Sequence, residues 1–598
     1  MSASQKHATP LDAAARYQLW AVQSLPALAL RLACAVAVVC LMFIAAQFAG
    51  ARHAGWVAAG AGLPAAGVAF LLAGNAPPRA PPHFAIAPRA ALVAAVATGL
   101  FLLVLMPILV TPLPAMDDYP NHLARVHMML VAGKDALLDR YYAIHWRVIP
   151  NLGLELVVPP LAAATTLYFA GKAFLVLIAL LSLGGPLAIH HALYRRLSLG
   201  PLVAALFLYN GVTTMGVLNY QFGIGLALFA VAGWIRLREA NRLLRGGVSA
   251  ACMVVLFFCH MMALGCYGLA IGSFELWALM SRPAPMRRRL GDAAALVLPC
   301  AIVVPLLLLG PVPDGSYATP TRWGGLHARL DGLRFVFETY SPWIDLLMML
   351  AIVAGLLWAV RRRRVFLHPF GWIALALFGA VYLVIPNQIQ GTWGAADRLP
   401  VAALLLLIGT VHWDLGSVRA RTTFLAVVAL LALVRTAEVR AAFSRYAQVT
   451  RDFRASLRLI EPGSRVLVAD QYENSTDELA GSIQQLPMLA MIERSSLVSL
   501  AYAHPLQQIM RVRPAYAAST GGYADQPLPL DELLAPTPHF PPGQEPWYAP
   551  SGRVYWADWP HSYDYVYVID RTAPGSPAPD RLALLYQGDR FQLFRVTR

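Results

Sequence analysis

Apolar residues occur along this chain in long runs rather than in the strict alternation of a half-buried strand. A run near 20 apolar residues is long enough to cross a bilayer as a helix. The pattern predicts thirteen such spans, at residues 26 to 48, 53 to 74, 89 to 111, 167 to 191, 199 to 215, 217 to 236, 248 to 263, 264 to 281, 292 to 311, 342 to 360, 367 to 386, 397 to 413 and 421 to 438. The chain is therefore predicted to be a polytopic α-helical membrane protein.

The pattern changes after about residue 440, where shorter apolar stretches alternate with turns. "EPGSRVLVADQYEN" predicts a turn, a buried strand and a loop, and "DELAGSIQQLPMLAMIE" predicts a helix. "SYDYVYVID" and "LALLYQGDRFQLFRVT" predict strands, the latter folded at its Gln-Gly-Asp turn. Residues 441–598 are predicted to form a small α/β domain. They contain no phosphate-binding glycine loop, nucleophile elbow or zinc spacing, which favours a cap or recognition domain.

Composition supports the membrane interpretation, since 58% of the 598 residues are hydrophobic and 13% are charged. The net charge of +15 comes from arginines in short bursts between the apolar runs, a distribution typical of membrane-flanking charge rather than of nucleic-acid binding. All six cysteines lie inside apolar segments. This position argues against a disulfide framework and a thiolate zinc site.

The arginine bursts also predict the orientation of the chain, because short inner loops carry the excess of Lys and Arg. With the N-terminus inside, every inner loop is basic, through Arg79, Arg89, Arg195, Arg196, Arg236, Arg238, Arg242, Arg245, Arg282, Arg287 to Arg289, Arg361 to Arg364, Arg419 and Arg421. Segments 112–150 and 312–341 then become long outer loops. The tail after about residue 440 is expected outside as well.

Two adjacent carboxylates, Asp117 and Asp118, open the first outer loop in "TPLPAMDDYPNHLARVHMML". Pro120 suits the first turn of a helix, so a helix is predicted to begin there. One interpretation is that Asp118 caps this helix. The other is functional: adjacent like charges at a partly desolvated interface raise the proton affinity of at least one carboxylate, which suits general-base chemistry.

The predicted helix carries an apolar stripe, with Asn121 and Arg125 on other faces, and is expected to lie along the membrane surface. His122 and His127 are five residues apart and so do not form an i, i+4 metal pair. A divalent cation held by one of the aspartates with His122 remains an alternative. No metal site is assigned.

An acidic pair that follows a span and opens the first long outer loop, with many spans and an outer C-terminal domain, resembles the GT-C superfamily. These membrane glycosyltransferases use polyprenyl-phosphate sugars, as in the protein O-mannosyltransferase and aminoarabinose transferase branches. The resemblance implies that an acidic residue of this loop acts as the base or positions the acceptor. It carries over to Asp117 and Asp118, and Asp118 is favoured because it is nearer the helix.

The resemblance covers residues 89–440 in topology, with the acidic pair as its motif. Residues 1–88 add two further spans before the motif, and the pair is Asp-Asp before Tyr-Pro rather than Asp-Glu. The chain therefore divides into an N-terminal segment, 1–88, a GT-C-like core, 89–440, and the outer domain, 441–598.

A lipid-phosphate leaving group would need a cation at the outer end of a span. Lys172 and Arg398 qualify, and each could instead be snorkelling to the interface. Arg398 shares a polar outer segment with Asp397, Gln388, Gln390 and Trp393, which favours function. Gln390, Trp393 and His122 complete the candidate substrate-binding residues.

Two further polar features lie among the spans. Asn219 and Tyr220 belong to a glycine-rich outer turn that is interpreted as helix packing, with a sugar or acceptor pocket as the alternative. His260 lies within an apolar run, where an ionisable residue is a functional candidate and a hydrogen bond to a neighbouring helix is the structural alternative.

The sequence thus predicts an inner-membrane glycosyltransferase with a cytoplasmic N-terminus and an extracytoplasmic C-terminal domain. It would move a sugar from a polyprenyl-phosphate donor to a lipid, polysaccharide or protein acceptor. A flippase or transporter of lipid-linked glycans would show inverted repeats and mid-bilayer ionisable residues, and neither is prominent here. A non-catalytic scaffold is the third hypothesis.

Overall fold

The computed structural model describes residues 90–281, 284–311, 321–389, 393–471, 478–504, 506–520, 527–535, 554–570 and 579–598. A helical bundle occupies the larger, N-terminal part. Its helices are, in chain order, α1 Ala90–Val110, α2 Tyr119–Val131, α3 Ala136–Tyr141, α4 Gly153–Ala164, α5 Leu167–Tyr194, α6 Gly211–Thr214, α7 Leu218–Arg236, α8 Arg242–Cys259, α9 Met261–Ser281, α10 Met286–Val297, α11 Val303–Leu308, α12 Leu326–Arg334, α13 Pro342–Arg361, α14 Pro369–Val384, α15 Ala395–Thr410 and α16 Val418–Leu457.

Eight helical segments in the described part of the chain are long and apolar enough to cross a membrane. They are α1, α5, α7, α8, α9, α10 continued through α11, α13 and α16. Each corresponds to one of the predicted spans, so the multi-pass membrane architecture is confirmed. The predicted spans at 26 to 48 and 53 to 74 lie outside the described residues.

Three other predicted spans take a different form. Segment 199 to 215 is a buried 3-10 helix, Gly200–Phe207, followed by the single turn α6. The side chain of Asn210 accepts hydrogen bonds from the amides of Val212 and Thr213, which starts a new helix and interrupts the run. The spans predicted at 367 to 386 and 397 to 413 correspond to the 16-residue helices α14 and α15.

The Tyr194 hydroxyl at the end of α5, just before Arg195 and Arg196, donates to the carbonyl of Thr410 at the end of α15 at 2.9 Å, so these helix ends lie together. At that end, strands β2 Val365–Leu367 and β3 Val411–Trp413 pair antiparallel, and Arg364 forms an ion pair with Asp414 at 2.7 Å. At the opposite end, Tyr168 in the first turn of α5 donates a hydrogen bond to Glu493 of the C-terminal domain at 3.3 Å. The arginine-bearing end and the domain therefore lie on opposite sides of the bundle.

Part of the arginine-bearing end is a buried ion cluster rather than a solvated surface. Arg238 and Arg245 each contact Glu275 and Asp292 at 3.2 Å, and Arg242 contacts Asp292 at 2.9 Å. These residues come from the end of α7, the start of α8, the end of α9 and α10. The cluster thus ties four helix ends together with both signs of charge.

The C-terminal domain is a mixed sheet with short helices. Its strands are β4 Arg465–Asp470, β5 Leu497–Val498, β7 Leu528–Pro529, β8 Tyr565–Ile569, β9 Leu582–Gln587 and β10 Phe591–Val596, and β6 Met510–Val512 lies outside this sheet. The strand order is β5-β4-β8-β10-β9, with β7 also paired to β4. β4 is parallel to β5, β7 and β8, whereas β10 is antiparallel to β8 and β9. The predicted strands are confirmed.

The helix predicted from "DELAGSIQQLPMLAMIE" forms three short pieces: α17 Ala480–Gln484, a 3-10 turn Leu486–Met488 and α18 Leu489–Arg494. Pro487 lacks the amide hydrogen that a continuous helix would need at this point, which explains the break. Further helices among the described residues of the domain are a 3-10 helix, Pro514–Ser519, and the short helices α19 Leu530–Leu534 and α20 Trp559–Ser562.

The bundle and the domain share one continuous apolar core. α16 runs 40 residues and passes from the bundle into the domain, so the boundary predicted between residues 440 and 441 falls inside this helix. A strand from the bundle's first loop, β1 Tyr142–Ile144, pairs antiparallel with β6. The domain is therefore held against the bundle by a helix, a strand pair and side-chain packing.

Candidate active site

The two aspartates lie where α1 ends beneath the C-terminal domain. The backbone amide of Asp117 donates to the carbonyl of Thr214 at 2.9 Å, and that of Asp118 donates to Met215 at 3.0 Å. The next residue, Gly216, has a φ of +76°, and a Cβ there would lie 3.1 Å from the amide nitrogen of Asp118. A side chain at Gly216 would strain this turn, so the glycine is what lets the turn hold the aspartates.

Asp118 directly precedes α2, as the sequence predicts, but its side chain does not cap the helix. Its backbone is already helical, with φ −76° and ψ −9°, whereas a capping residue usually adopts an extended conformation. The capping interpretation is wrong. The Asp118 carboxylate is directed to other partners.

Those partners come from the C-terminal domain, one for each aspartate. Ser482 Oγ donates to Asp117 Oδ1 at 2.9 Å, and the Tyr502 hydroxyl donates to Asp118 Oδ1 at 2.6 Å. Gly481 permits the first contact, because a Cβ at Gly481 would lie 2.7 Å from the Asp117 carboxylate carbon. The domain thus supplies hydroxyl donors to both carboxylates.

Tyr340, in the segment before α13, contacts the chain next to the aspartates. Its hydroxyl donates to the carbonyl of Ala115 at 2.5 Å and so holds the chain just before the aspartates. Burial and the nearby charge of Asp117 raise the pKa of Tyr340 well above its ordinary value. The phenol therefore remains a neutral donor at physiological pH.

Arg398 lies in the first turn of α15 and is buried, with 7% of its surface exposed. The Arg398 guanidinium lies within electrostatic reach of Asp118. One terminal nitrogen donates to the carbonyl of Trp393 at 2.9 Å, whereas Nε has no hydrogen-bond partner in the described part of the protein. A buried guanidinium with an unmatched donor is suited to an anionic ligand.

The other cation candidate, Lys172, lies near the first turn of α5. Its ammonium donates to the carbonyls of Leu109 at 3.2 Å and Thr111 at 3.5 Å. These carbonyls belong to the C-terminal end of α1, where a cation is favoured by the helix dipole. Lys172 therefore holds the start of the segment that leads to the aspartates.

Of the other candidate substrate-binding residues, Gln390 lies outside the described residues, and the side chain of Trp393 is 57% exposed.

His122 is buried behind the aspartates and is part of a polar network. Its Nε2 contacts the carbonyl of Gly216 at 3.2 Å, and Arg125 donates to its Nδ1 at 2.7 Å. Burial and the Arg125 charge hold the pKa of His122 well below its ordinary value. A neutral imidazole that accepts at Nδ1 must carry its proton on Nε2, so it donates to Gly216. His122 thereby supports the same turn that holds Asp118.

The network continues to a buried ion pair between α2 and α4. Arg125 and Glu155 meet at 2.5 Å and both side chains are 0% exposed. Asn219 at the start of α7 donates to Glu155 at 3.2 Å and accepts from the amide of Leu154. The packing interpretation of Asn219 is confirmed by these contacts, which join α7 to α4.

Helix α2 is enclosed by protein, so its polar faces are not exposed to water as an amphipathic surface helix would be. Tyr119 to Val126 are all buried, and so is Met128. Asn121 donates to the side chain of Gln485 at 3.0 Å and to the carbonyl of Leu500 at 2.9 Å. The polar faces of α2 are thus covered by the domain and by α4 rather than by water.

Tyr220 and His260 lie beside Arg398. The Tyr220 hydroxyl donates to the carbonyl of Arg398 at 2.7 Å, and the His260 ring packs edge-on against Tyr220 at 5.3 Å. His260 lies at the break between α8 and α9 in an extended conformation, rather than inside a continuous span. These residues fix the first turn of α15 in the bundle.

The described residues contain no group of three or more His, Cys, Asp or Glu side chains that could hold a metal ion. Both ring nitrogens of His122 have protein partners, and each aspartate accepts a hydroxyl hydrogen bond. His122 therefore has no free ring nitrogen with which to bind a divalent cation.

Several residues of the site were missed by sequence reasoning. Glu155 gave a signal, because it is a lone carboxylate in the apolar run "NLGLELVVPPLAAA" and such a group needs a buried partner. Ser482 and Tyr502 gave none, because a serine or tyrosine in a loop is ordinary and both lie over 360 residues from the aspartates.

Two solved structures are similar to this one. ArnT from Cupriavidus metallidurans, crystallised bound to undecaprenyl phosphate, matches with a TM-score of 0.46 and 13% identity, over 84% of this chain and 97% of that chain. The arabinofuranosyltransferase AftD from Mycobacteria matches with a TM-score of 0.42 and 14% identity, over 86% of this chain and 40% of that chain. No family model matches the sequence, and no curated protein sequence matches it.

Proposed function

We propose that this protein is a glycosyltransferase of the bacterial inner membrane that moves a sugar from a polyprenyl-phosphate donor to an extracytoplasmic acceptor. The acceptor is a lipid, a polysaccharide or a protein. The N-terminus lies in the cytoplasm, and the C-terminal domain lies on the opposite side, because the arginine-bearing end of the bundle faces away from that domain.

In this mechanism Asp118 is the general base. The acceptor hydroxyl loses its proton to the carboxylate as its oxygen bonds to the anomeric carbon of the sugar. The bond between that carbon and the phosphate oxygen breaks, and the polyprenyl phosphate leaves with the electron pair. Asp117, held by Ser482, is the alternative base.

Arg398 stabilises the phosphate as negative charge develops on it. A guanidinium in a water-poor site is effective for this purpose, because it needs little reorganisation during the reaction. Lys172 is the second cation in the proposal, and Gln390 and Trp393 precede Arg398 in the same segment of the sequence. His122 does not contact the substrate in this proposal. It supports the Gly216 turn, which holds the backbone of Asp118.

One observation carries the proposal: the buried Arg398 guanidinium lies within electrostatic reach of Asp118, 280 residues earlier in the chain. A base and a cation for a phosphate must be close together at a reacting glycosyl phosphate. Arg398 also keeps an unmatched Nε donor. This arrangement is difficult to explain by packing alone, since an unmatched buried donor costs about 1–3 kcal/mol.

The proposal is tested in a strain that lacks the gene and is complemented with wild-type protein, Asp117→Asn, Asp118→Asn or Arg398→Gln. Mass spectrometry of envelope glycolipids and glycans identifies the species that depend on the gene. Loss of the base is expected to lower that species about 10²–10⁴-fold in Asp118→Asn. Binding of undecaprenyl phosphate to the purified full-length protein is expected to weaken in Arg398→Gln and to persist in Asp118→Asn.

Stable wild-type protein that changes no glycan would overturn the proposal and favour the scaffold hypothesis. Accumulation of an unchanged lipid-linked glycan on the inner side of the membrane in the deletion strain would favour the flippase instead. If both aspartate variants supported wild-type levels of the species, the carboxylates would have no catalytic role.

A further inference from the structure

The loop after β5 brings Tyr502 to Asp118 and is itself fixed to α2. The backbone amide of Tyr502 donates to Asn121 Oδ1 at 3.0 Å, and Asn121 donates back to the carbonyl of Leu500 at 2.9 Å. Asn121 is fully buried. This reciprocal pair of hydrogen bonds fixes the loop against Asn121, which lies in α2 three residues after Asp118.

The Tyr502 hydroxyl is thereby held at a fixed distance from one carboxylate oxygen. It donates to Asp118 Oδ1 at 2.6 Å. The terminal torsion of an aspartate is broad and shallow, so a carboxylate without a fixed donor turns between orientations. A donor from a rigid element selects one of them.

We propose that Tyr502, from the C-terminal domain, is a positioning residue that orients the Asp118 carboxylate for proton abstraction. The inference rests on the proposed function. It makes the extramembrane domain part of the active site rather than a cap that covers it.

The proposal distinguishes Asp118 from Asp117 through the nature of their donors. Ser482 donates from the one-and-a-half-turn helix α17 to Asp117, whereas Tyr502 donates from a loop that is bonded to the helix after Asp118. A base must be placed within hydrogen-bond reach of the proton it removes, and small misplacements lower the rate strongly. Asp118 therefore has the better supported orientation.

The test compares Tyr502→Phe with a matched variant, Tyr586→Phe. Tyr586 also donates to an aspartate at 2.6 Å, Asp452, in the same domain but away from the site. Each protein is expressed at full length in the deletion strain, and the gene-dependent glycan is measured per molecule of protein. Binding of undecaprenyl phosphate, the probe, is measured on the purified proteins together with their thermal midpoints.

Tyr502→Phe is expected to lower product formation about 10- to 100-fold while undecaprenyl phosphate binds with unchanged affinity. Tyr586→Phe is expected to keep wild-type product levels. Fluorotyrosine placed at position 502 by stop-codon suppression restores a hydroxyl donor, and product formation is expected to recover. A purely structural role for the ring would not give this recovery, because phenylalanine fills the same space.

Wild-type product levels in Tyr502→Phe would overturn the inference and leave the proposed function intact. So would equal losses of product and probe binding, or a failure of fluorotyrosine to restore product. If the wild-type protein itself formed no gene-dependent glycan, the proposed function would fail and this inference with it.

Discussion

Single residues in this protein carry charge in places that water does not reach. The Arg125 and Glu155 pair is the clearest case, since both side chains are fully buried. Moving two charges out of water is expensive, and their mutual attraction compensates for this only when both partners are present. The pair and its neighbour His122 support the Gly216 turn. The buried charges therefore lie directly beside the candidate active site.

Breaking this pair is predicted to destabilise the protein strongly. Glu155→Ala leaves the Arg125 guanidinium buried without its partner, and a loss of about 3–5 kcal/mol in unfolding free energy is expected. Replacing both residues by methionine is expected to lose much less. The thermal midpoint of the detergent-solubilised protein measures both effects.

Glu461→Ala is the control, because it removes an exposed ion pair with Arg595 and is expected to have no measurable effect. Equal midpoints for Glu155→Ala and wild-type protein would contradict the predicted role of the pair.

A second buried residue, His504, makes stability depend on pH. Burial and the charge of Arg511 lower the pKa of His504 to about 3, whereas an exposed histidine titrates near 6.5. As pH falls below 6.5, the unfolded state binds a proton that the folded state does not. Stability is therefore lost as pH falls from 6.5 toward 3, by up to about 1.4 kcal/mol per pH unit.

The contribution is measured by comparing wild-type protein with His504→Asn between pH 7 and pH 5. Asparagine keeps an acceptor for the amide of Leu506, which now donates to His504 Nδ1. The wild-type midpoint is expected to fall more than that of the variant, by an amount corresponding to about 2 kcal/mol at pH 5. Parallel pH curves would show that His504 is not the titrating group.

Among the elements, α16 has the largest role in placing the site. It begins at the arginine-bearing end, crosses the bundle and continues into the domain. Within it, Arg435 forms ion pairs with Asp345 of α13 and with Glu438, and Glu438 also accepts from the amide of Tyr340. The helix thus fixes the segment that contacts Ala115 just before the aspartates.

A break in α16 is predicted to uncouple the domain from the bundle. Arg445→Pro lies at an exposed position and removes a helical hydrogen bond while clashing with the carbonyl four residues earlier. A loss of about 3 kcal/mol or more is expected, together with faster proteolysis of the domain. Arg445→Ala is the control and is expected to behave like wild-type protein. Equal protease resistance in both variants would contradict the prediction.

For the molecule as a whole, the helix directions and the arginine pattern indicate the same orientation of the chain in the membrane. The ends that carry the arginine bursts lie on the side away from the domain, although part of this charge is buried in the cluster around Asp292. Positive charge favours the cytoplasmic side whether it later pairs or not. The domain is therefore predicted to lie outside the cytoplasm.

This orientation is tested with reporter fusions to the chain. Alkaline phosphatase fused after Arg598 is expected to be active, and green fluorescent protein at the same point is expected to be dark. Fusions after Arg364, at the arginine-bearing end, are expected to give the reverse. A fluorescent fusion after Arg598 would invert the predicted topology and remove the site from the extracytoplasmic side.

Sequence patterns predicted the elements that depend on local composition. Within the part of the chain that the structure describes, the eight long helices follow from apolar runs that have only one low-energy arrangement in lipid. The strands of the domain follow from alternation and turn residues. Patterns failed where contacts override composition, as in segment 199 to 215, which Asn210 interrupts.

By itself, the sequence determined that this is a multi-pass membrane protein with a C-terminal α/β domain, and it drew attention to the Asp117 and Asp118 pair. These conclusions rest on hydrophobic burial and on backbone hydrogen bonding, which act locally along the chain. Only the tertiary structure decided which groups surround the pair. Ser482 and Tyr502 contact it from segments hundreds of residues away, Arg398 lies within electrostatic reach of it, and no local pattern encodes such placements.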